Sequence, residues 1–154
     1  MSGLICQHLA PEQVRVLYPL VREAVPGLEL KTWLQFARRI GNPRRRDQEG
    51  IIVVLREHRL MPCGLFFYRR HADLEHGEML VAEHFVAVDV LDPAPVMNAL
   101  VTELDRLANR LGCNAIRTVV LGATSAAATR LTEAGHRPAG AMLFKPVEIG
   151  GSPN

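Results

Sequence analysis

The chain has 154 residues, the length of one domain that can bury a core. Apolar residues make up 48% and charged residues 22%, which excludes a disordered chain. Eighteen Lys+Arg against sixteen Asp+Glu leave a net charge of +2, too little basic excess for a protein that lives on nucleic-acid phosphates.

Cys6, Cys63 and Cys113 are far apart and form no C-x-x-C, so neither a disulfide framework nor a zinc knuckle is expected. The six histidines show no ligand spacing, and no metal is expected. The N-terminal residues have no basic run followed by a long apolar one, and no stretch reaches a membrane-spanning length. The expectation is a soluble cytoplasmic protein with no membrane or nucleic-acid partner.

Residues 4–9 read as a first strand. Pro11 opens a helix carrying Val14, Leu17, Val21 and Ala24 at helical spacing, and Pro26-Gly27 stops it. A second helix puts Leu30, Trp33, Leu34, Ala37 and Ile40 on one face and ends at Gly41. A charged loop holds Arg44, Arg45 and Arg46. It reads as a solvated tract, or as a grip for an acidic group. Ile51–Leu55 and Leu65–Tyr68 predict an antiparallel hairpin. A polar turn, 71–78, follows. Residues 79–91 predict a long strand with Glu83, Phe85, Ala87 and Asp89 on one face. Ala82, His84, Val86, Val88 and Val90 take the other, and His84 reads as a packing residue.

Pro93 and Pro95 precede a helix whose core stripe is Val96, Leu100, Leu104, Leu107 and Leu111, stopped by Gly112. Ala115–Val120 predicts a short buried strand. Thr124 or Ser125 caps a small helix with Ala127, Ala128 and Leu131 inward, ended by Gly135. Ala141–Val147 predicts a last strand. The order is β-α-α-β-β-β-α-β-α-β, an α/β protein with a mixed, mostly antiparallel sheet flanked by helices. One domain spans 1–149, and 150–154 is a flexible tail.

This order resembles the GNAT family, the Gcn5-related N-acetyltransferases, over nearly the whole chain. The segment VAEHFVAVDVLDPAPVMNALVTELDRLANRLGCNAIRTVVL is similar to the family's fourth strand, acetyl-CoA loop, third helix and fifth strand. The segment AAATRLTEAGHRPAGAMLFKPV is similar to its fourth helix and final hairpin. The resemblance implies transfer of an acetyl or acyl group from acetyl-CoA to a small-molecule or peptide amine by direct attack. It implies Glu83 as general base. It implies backbone N–H groups of Val88, Asp89 and Val90 on the cofactor's pantetheine, and of Val96, Met97 and Asn98 at the helix N-terminus on its pyrophosphate. Trp33 could line the acceptor cleft or serve as a core packing residue, and Arg44–Arg46 could reach the cofactor's 3′-phosphate.

The family's phosphate loop reads Gln or Arg, two residues, Gly, one residue, then Gly or Ala. Asp92, Pro95 and Met97 stand at those three places. Asp92 brings negative charge toward an anionic ligand, Pro95 lacks an N–H, and Met97 adds bulk. Thr132 stands where many members carry the Tyr that protonates the leaving thiolate, with Ser125 nearby. These departures support an alternative: a non-catalytic GNAT-like ligand-binding or interaction module, a pseudoenzyme without acetyl-CoA, with a homodimer as its assembly.

Overall fold

The computed structural model describes residues 3–58, 61–88, 92–121 and 126–149. Strand β1 (Leu4–His8) leads into a 3-10 turn at Pro11–Gln13, and helix α1 forms over Tyr18–Ala24 alone. The helix expected from Pro11 is therefore split. Its apolar spacing still works, since Leu17 and Val21 are buried. Helix α2 (Leu30–Ile40) matches the expected span and buries Trp33 and Ala37.

Strands β2 (Glu49–Arg56), β3 (Pro62–Asp73) and β4 (Gly77–Ala87) form an antiparallel meander. The hairpin arms run longer than the apolar runs alone indicate. Polar residues Arg69 to Asp73 extend β3, paired to Gly77–Val81 across a tight turn. Gly77 takes φ 77° there, a left-handed value that favours glycine. Only Leu74, Glu75 and His76 remain of the expected polar loop, and the Asp73 carboxylate accepts the N–H groups of Glu75 and His76.

Helix α3 (Ala94–Arg110) crosses the sheet, and strand β5 (Ala115–Val119) pairs parallel to β4. Helix α4 (Ala126–Glu133) packs Ala127 and Leu131 inward. The sheet order is β1-β2-β3-β4-β5, a mixed sheet with antiparallel pairs throughout except the last. No helix among the described residues is long and apolar enough to cross a membrane.

Alternating side chains divide the apolar residues between the two faces of the sheet. Ile52, Val54, Phe66, Tyr68, Leu80 and Ala82 pack with α3 and α4. Ile51, Val53, Leu55, Leu65 and Phe67 pack with Leu17, Val21, Trp33 and Ala37 of the α1–α2 layer. Gly64 lets α3 settle onto β3: a Cβ there would meet Val96 Cγ1 at 2.6 Å and the Val86 carbonyl oxygen at 2.9 Å.

Two expectations fail at the C-terminal end. β5 is half-buried rather than buried, because nothing pairs with its outer edge among the described residues. Residues 141–147 form no strand and are fully exposed. The caps expected at Thr124 or Ser125 lie outside the described residues.

Candidate active site

The site is built where β4 and β5 part. Their pairing runs from Met79↔Ala115 to Glu83↔Val119 and stops. β4 continues through His84, Phe85, Val86 and Ala87 with β3 on one side and no strand on the other among the described residues, since β5 ends at Val119. A bulge falls at the same place. Leu65 pairs with Val86 and Phe67 with Glu83, so three steps on β4 face two on β3. The extra residue forces His84 to φ 59°, a rare value for a residue with a Cβ. A bulge bends its strand and increases local twist, here just where the pairing of β4 with β5 ends.

The bulge also reassigns the faces. Glu83 stands opposite Phe67, so both side chains share the α1–α2 face. The His84 ring contacts Phe67 edge-on with centroids 5.2 Å apart, so it lies there too. Phe85 crosses to the α3 face, 5.4 Å from Phe66. The expected grouping of Glu83 with Phe85, and of His84 with the opposite face, is overturned. Regular alternation fails at the one residue where the strand is irregular.

Glu83 and His84 are both half-buried, and aromatic rings surround them. Phe67 also touches Trp33 at 6.3 Å and Phe36 at 5.6 Å, centroid to centroid. Trp33 is 1% exposed and its indole N–H donates to the Val14 carbonyl at 2.7 Å. It is a core anchor, not a cleft lining. Phe36, one turn along α2, is the partly open aromatic on this face. Sequence reasoning missed Phe36 and set His84 aside. The α2 periodicity carries a signal for Phe36, whereas nothing in the letters around His84 announces a bulge.

The other part of the candidate site is the N-terminus of α3, which packs on the opposite face of the sheet. Asp92 Oδ1 accepts the Ala94 N–H at 3.0 Å. Pro95 has no N–H, and the Met97 N–H closes onto the Pro93 carbonyl at 3.0 Å. Val96 and Met97 are buried, while Asn98 is exposed but already one turn inside the helix. Of the expected donors Val96, Met97 and Asn98, only Val96 keeps a first-turn N–H without an acceptor among the described residues. These residues do not fit a pyrophosphate held in the family's manner. Asp92 already occupies the helix end with negative charge. The Val88 N–H is also committed, donating to the Cys63 carbonyl at 2.8 Å, while Asp89 and Val90 lie outside the described residues.

The arginine tract is elsewhere. Arg45 pairs with Glu49 at 3.2 Å, and the Arg46 carbonyl accepts the Tyr68 hydroxyl at 2.6 Å. Arg46 borders an open groove of about 720 Å³ with His8, Arg106 and Arg110, beside β1 and so across the sheet from β5. It does not reach the splayed strands. Burial, with Arg46 and Arg110 adding like charge, pushes the His8 imidazole down to about 4, and its Nδ1 has no partner among the described residues. Burial pushes the Cys6 thiol up to about 11 and raises Cys63 and Cys113, so none is an activated nucleophile. Thr132 is exposed on α4. No cluster of metal-ligating side chains occurs among the described residues.

Solved structures share this fold. Glucosamine-6-phosphate N-acetyltransferase from Arabidopsis thaliana superposes with a TM-score of 0.75 at 13% identity, covering 94% of this chain and 99% of that one. Aminoglycoside N-acetyltransferase AAC(6')-Iy, solved with CoA, gives 0.79 at 11% identity, covering 95% of each chain. A GNAT family acetyltransferase from Staphylococcus aureus gives 0.72 at 14% identity, covering 94% of this chain and 98% of that one. The fold is that of the GNAT acetyltransferases. No protein-family model and no curated protein matches the sequence.

Proposed function

We propose that the chain is an N-acyltransferase that moves an acetyl or acyl group from a CoA thioester to a small-molecule or peptide amine. The observation that carries this reading is the bulge at His84. It lies where the pairing of β4 with β5 ends and sets Glu83 and His84 on the face that carries Phe67. A carboxylate on that face can take a proton from an ammonium or amine, directly or through water. The amine nitrogen then bonds to the thioester carbonyl carbon, the C–S bond breaks, and the leaving thiolate takes a proton. No covalent enzyme intermediate is needed. Backbone groups on the open side of β4 after Glu83 supply the polar surface for the donor's carbonyl and pantetheine. Phe36 and Phe67 exclude water from the acceptor side.

A second reading, a non-catalytic module without acetyl-CoA, is favoured by Asp92. Its carboxylate takes the helix-end N–H that the donor's pyrophosphate would need. Thermal melting with and without acetyl-CoA separates the two. Bound donor raises the melting temperature by mass action. No shift at millimolar acetyl-CoA, with no calorimetric heat, removes the transferase reading and leaves the module.

A further inference from the structure

The edge of the sheet farthest from β5 carries a polar groove. β1 bonds β2 on one side and no strand among the described residues on the other. Its even-numbered side chains face α3. The Cys6 thiol donates to the Ala99 carbonyl at 3.6 Å, and the His8 ring meets Tyr68 edge-on with centroids 6.0 Å apart. The groove of about 720 Å³ opens between this strand and the later turns of α3, and that volume suits a small molecule. Arg46, Arg106 and Arg110 line it together with one carboxylate, Glu103, which leaves two positive charges unmatched. Of the acidic groups near Arg46, Glu49 is spent on Arg45, and Asp47 does not line the groove.

The arginines are held rather than scattered. Glu103 is buried and takes both helix arginines, Arg110 at 3.0 Å and Arg106 at 4.0 Å, while the two guanidinium side chains stay more than half exposed. Arg46 comes from the loop before β2. The Tyr68 hydroxyl pins its backbone, donating to the Arg46 carbonyl at 2.6 Å. Gly50 makes room for that bond, since a Cβ there would meet the same hydroxyl at 2.6 Å. His8 adds a second kind of observation. Its Nδ1 is shielded and has no partner among the described residues, and buried polar atoms are nearly always paired. Desolvation, then Arg46 and Arg110, keep the ring neutral, so it can bond a ligand without adding charge. Arginines at a helix end alone would only balance the helix dipole. Arg46 and the His8 nitrogen lie outside that explanation.

We propose that this groove binds a phosphate group, free or borne by a small molecule, with Arg46, Arg106 and Arg110 as its donors and Glu103 as the carboxylate that positions two of them. A phosphate monoester carries close to two negative charges at neutral pH, which matches the two unmatched positive ones. Guanidinium forks suit its oxygens. A carboxylate ligand would leave one positive charge over. The groove lies at the opposite edge of the sheet from the parting of β4 and β5, so it is a second site. The inference does not depend on the acyl-transfer reading.

Calorimetry on the full chain with phenyl phosphate and with inorganic phosphate tests it, read together with NMR shifts. The expected result is a Kd below about 1 mM, with shifts at Cys6, Gln7 and the His8 ring. Tighter binding of phenyl phosphate identifies a phosphorylated small molecule that fills the rest of the groove, and equal affinities identify free phosphate. Arg46→Gln, and separately Arg106→Gln, should each weaken binding by at least about tenfold. Both leave the Arg110–Glu103 pair in place, and Arg46→Gln keeps the backbone bond to Tyr68, so both should keep the melting transition. No heat and no shifts at about 10 mM of either probe overturn the proposal. Benzoate binding as tightly as phenyl phosphate overturns it too, since that marks a general anion surface. So does binding indifferent to both substitutions. A single-stranded oligonucleotide that binds the groove more tightly than phenyl phosphate would make it a nucleic-acid surface and overturn the proposal as well.

Discussion

The two walls of the cleft are built by opposite rules. On the β4 wall the backbone is strained and the chemistry is open: His84 is held left-handed, and Glu83 stands beside it on a face of aromatic rings. On the α3 wall the backbone is relaxed and the chemistry is closed. Asp92 takes the Ala94 N–H and Pro95 has none to give, which leaves the Val96 N–H as the first-turn donor without an acceptor among the described residues. Strain persists at a site only when its surroundings hold it, and β3, Phe66 and Phe67 do so here. The two sides of the candidate site can thus be tested separately.

The largest expected effect tests the open wall. Glu83→Gln should lower acyl transfer by about 100-fold with little change in acetyl-CoA affinity, measured by steady-state kinetics and calorimetry. Unchanged turnover would remove Glu83 from proton transfer and erase the contrast between the walls. Next comes the seat of α3. Gly64→Val should cost about 1–3 kcal/mol of stability in denaturant unfolding, because its side chain drives into Val96 and the Val86 carbonyl. A neutral result would mean that α3 can lift, and that its closed wall is adjustable.

A smaller effect tests the closed wall alone. Asp92→Asn removes charge from the helix end and should tighten acetyl-CoA binding by about fivefold, read by calorimetry. Weaker binding would show the carboxylate working with the ligand. The smallest effect lies far from both walls. His8 takes a proton near 6.5 when unfolded but only near about 4 when folded. Between those values the unfolded chain holds more protons, so stability falls as pH falls through that window. His8→Gln should flatten this acid limb in melting experiments while leaving the cleft untouched.

Much of this molecule was legible from its letters. The α2 stripe, the α3 leucines and the meander follow from periodicity, because each buries one regular face. The Asp92 side chain caps the start of α3 by accepting the Ala94 N–H, a bond that its place just before the helix allows. What was not legible depends on irregularity or on partners. A bulge adds one residue without a turn signal, so Phe85 and His84 landed on the wrong faces. The half-open β5 and the unformed strand at 141–147 share another cause: a strand needs an edge to bond, and propensity does not say whose. Trp33 reads equally well as cleft or core until its indole N–H finds the Val14 carbonyl.

The bulge at His84 also changes the parity of β4. Before it, the even-numbered Leu80 and Ala82 face α3; after it, the odd-numbered Phe85 and Ala87 do. A chain that paired β3 with β4 without the extra residue would send Phe85 toward α1–α2 and Val86 toward α3. Every later side chain on the strand would be exchanged across the sheet. The sequence is therefore written in two phases that only one register can reconcile. In folding, a slipped hairpin would be rejected by its own downstream half. The residue that opens the cleft thereby also proofreads the pairing of the strands that build it.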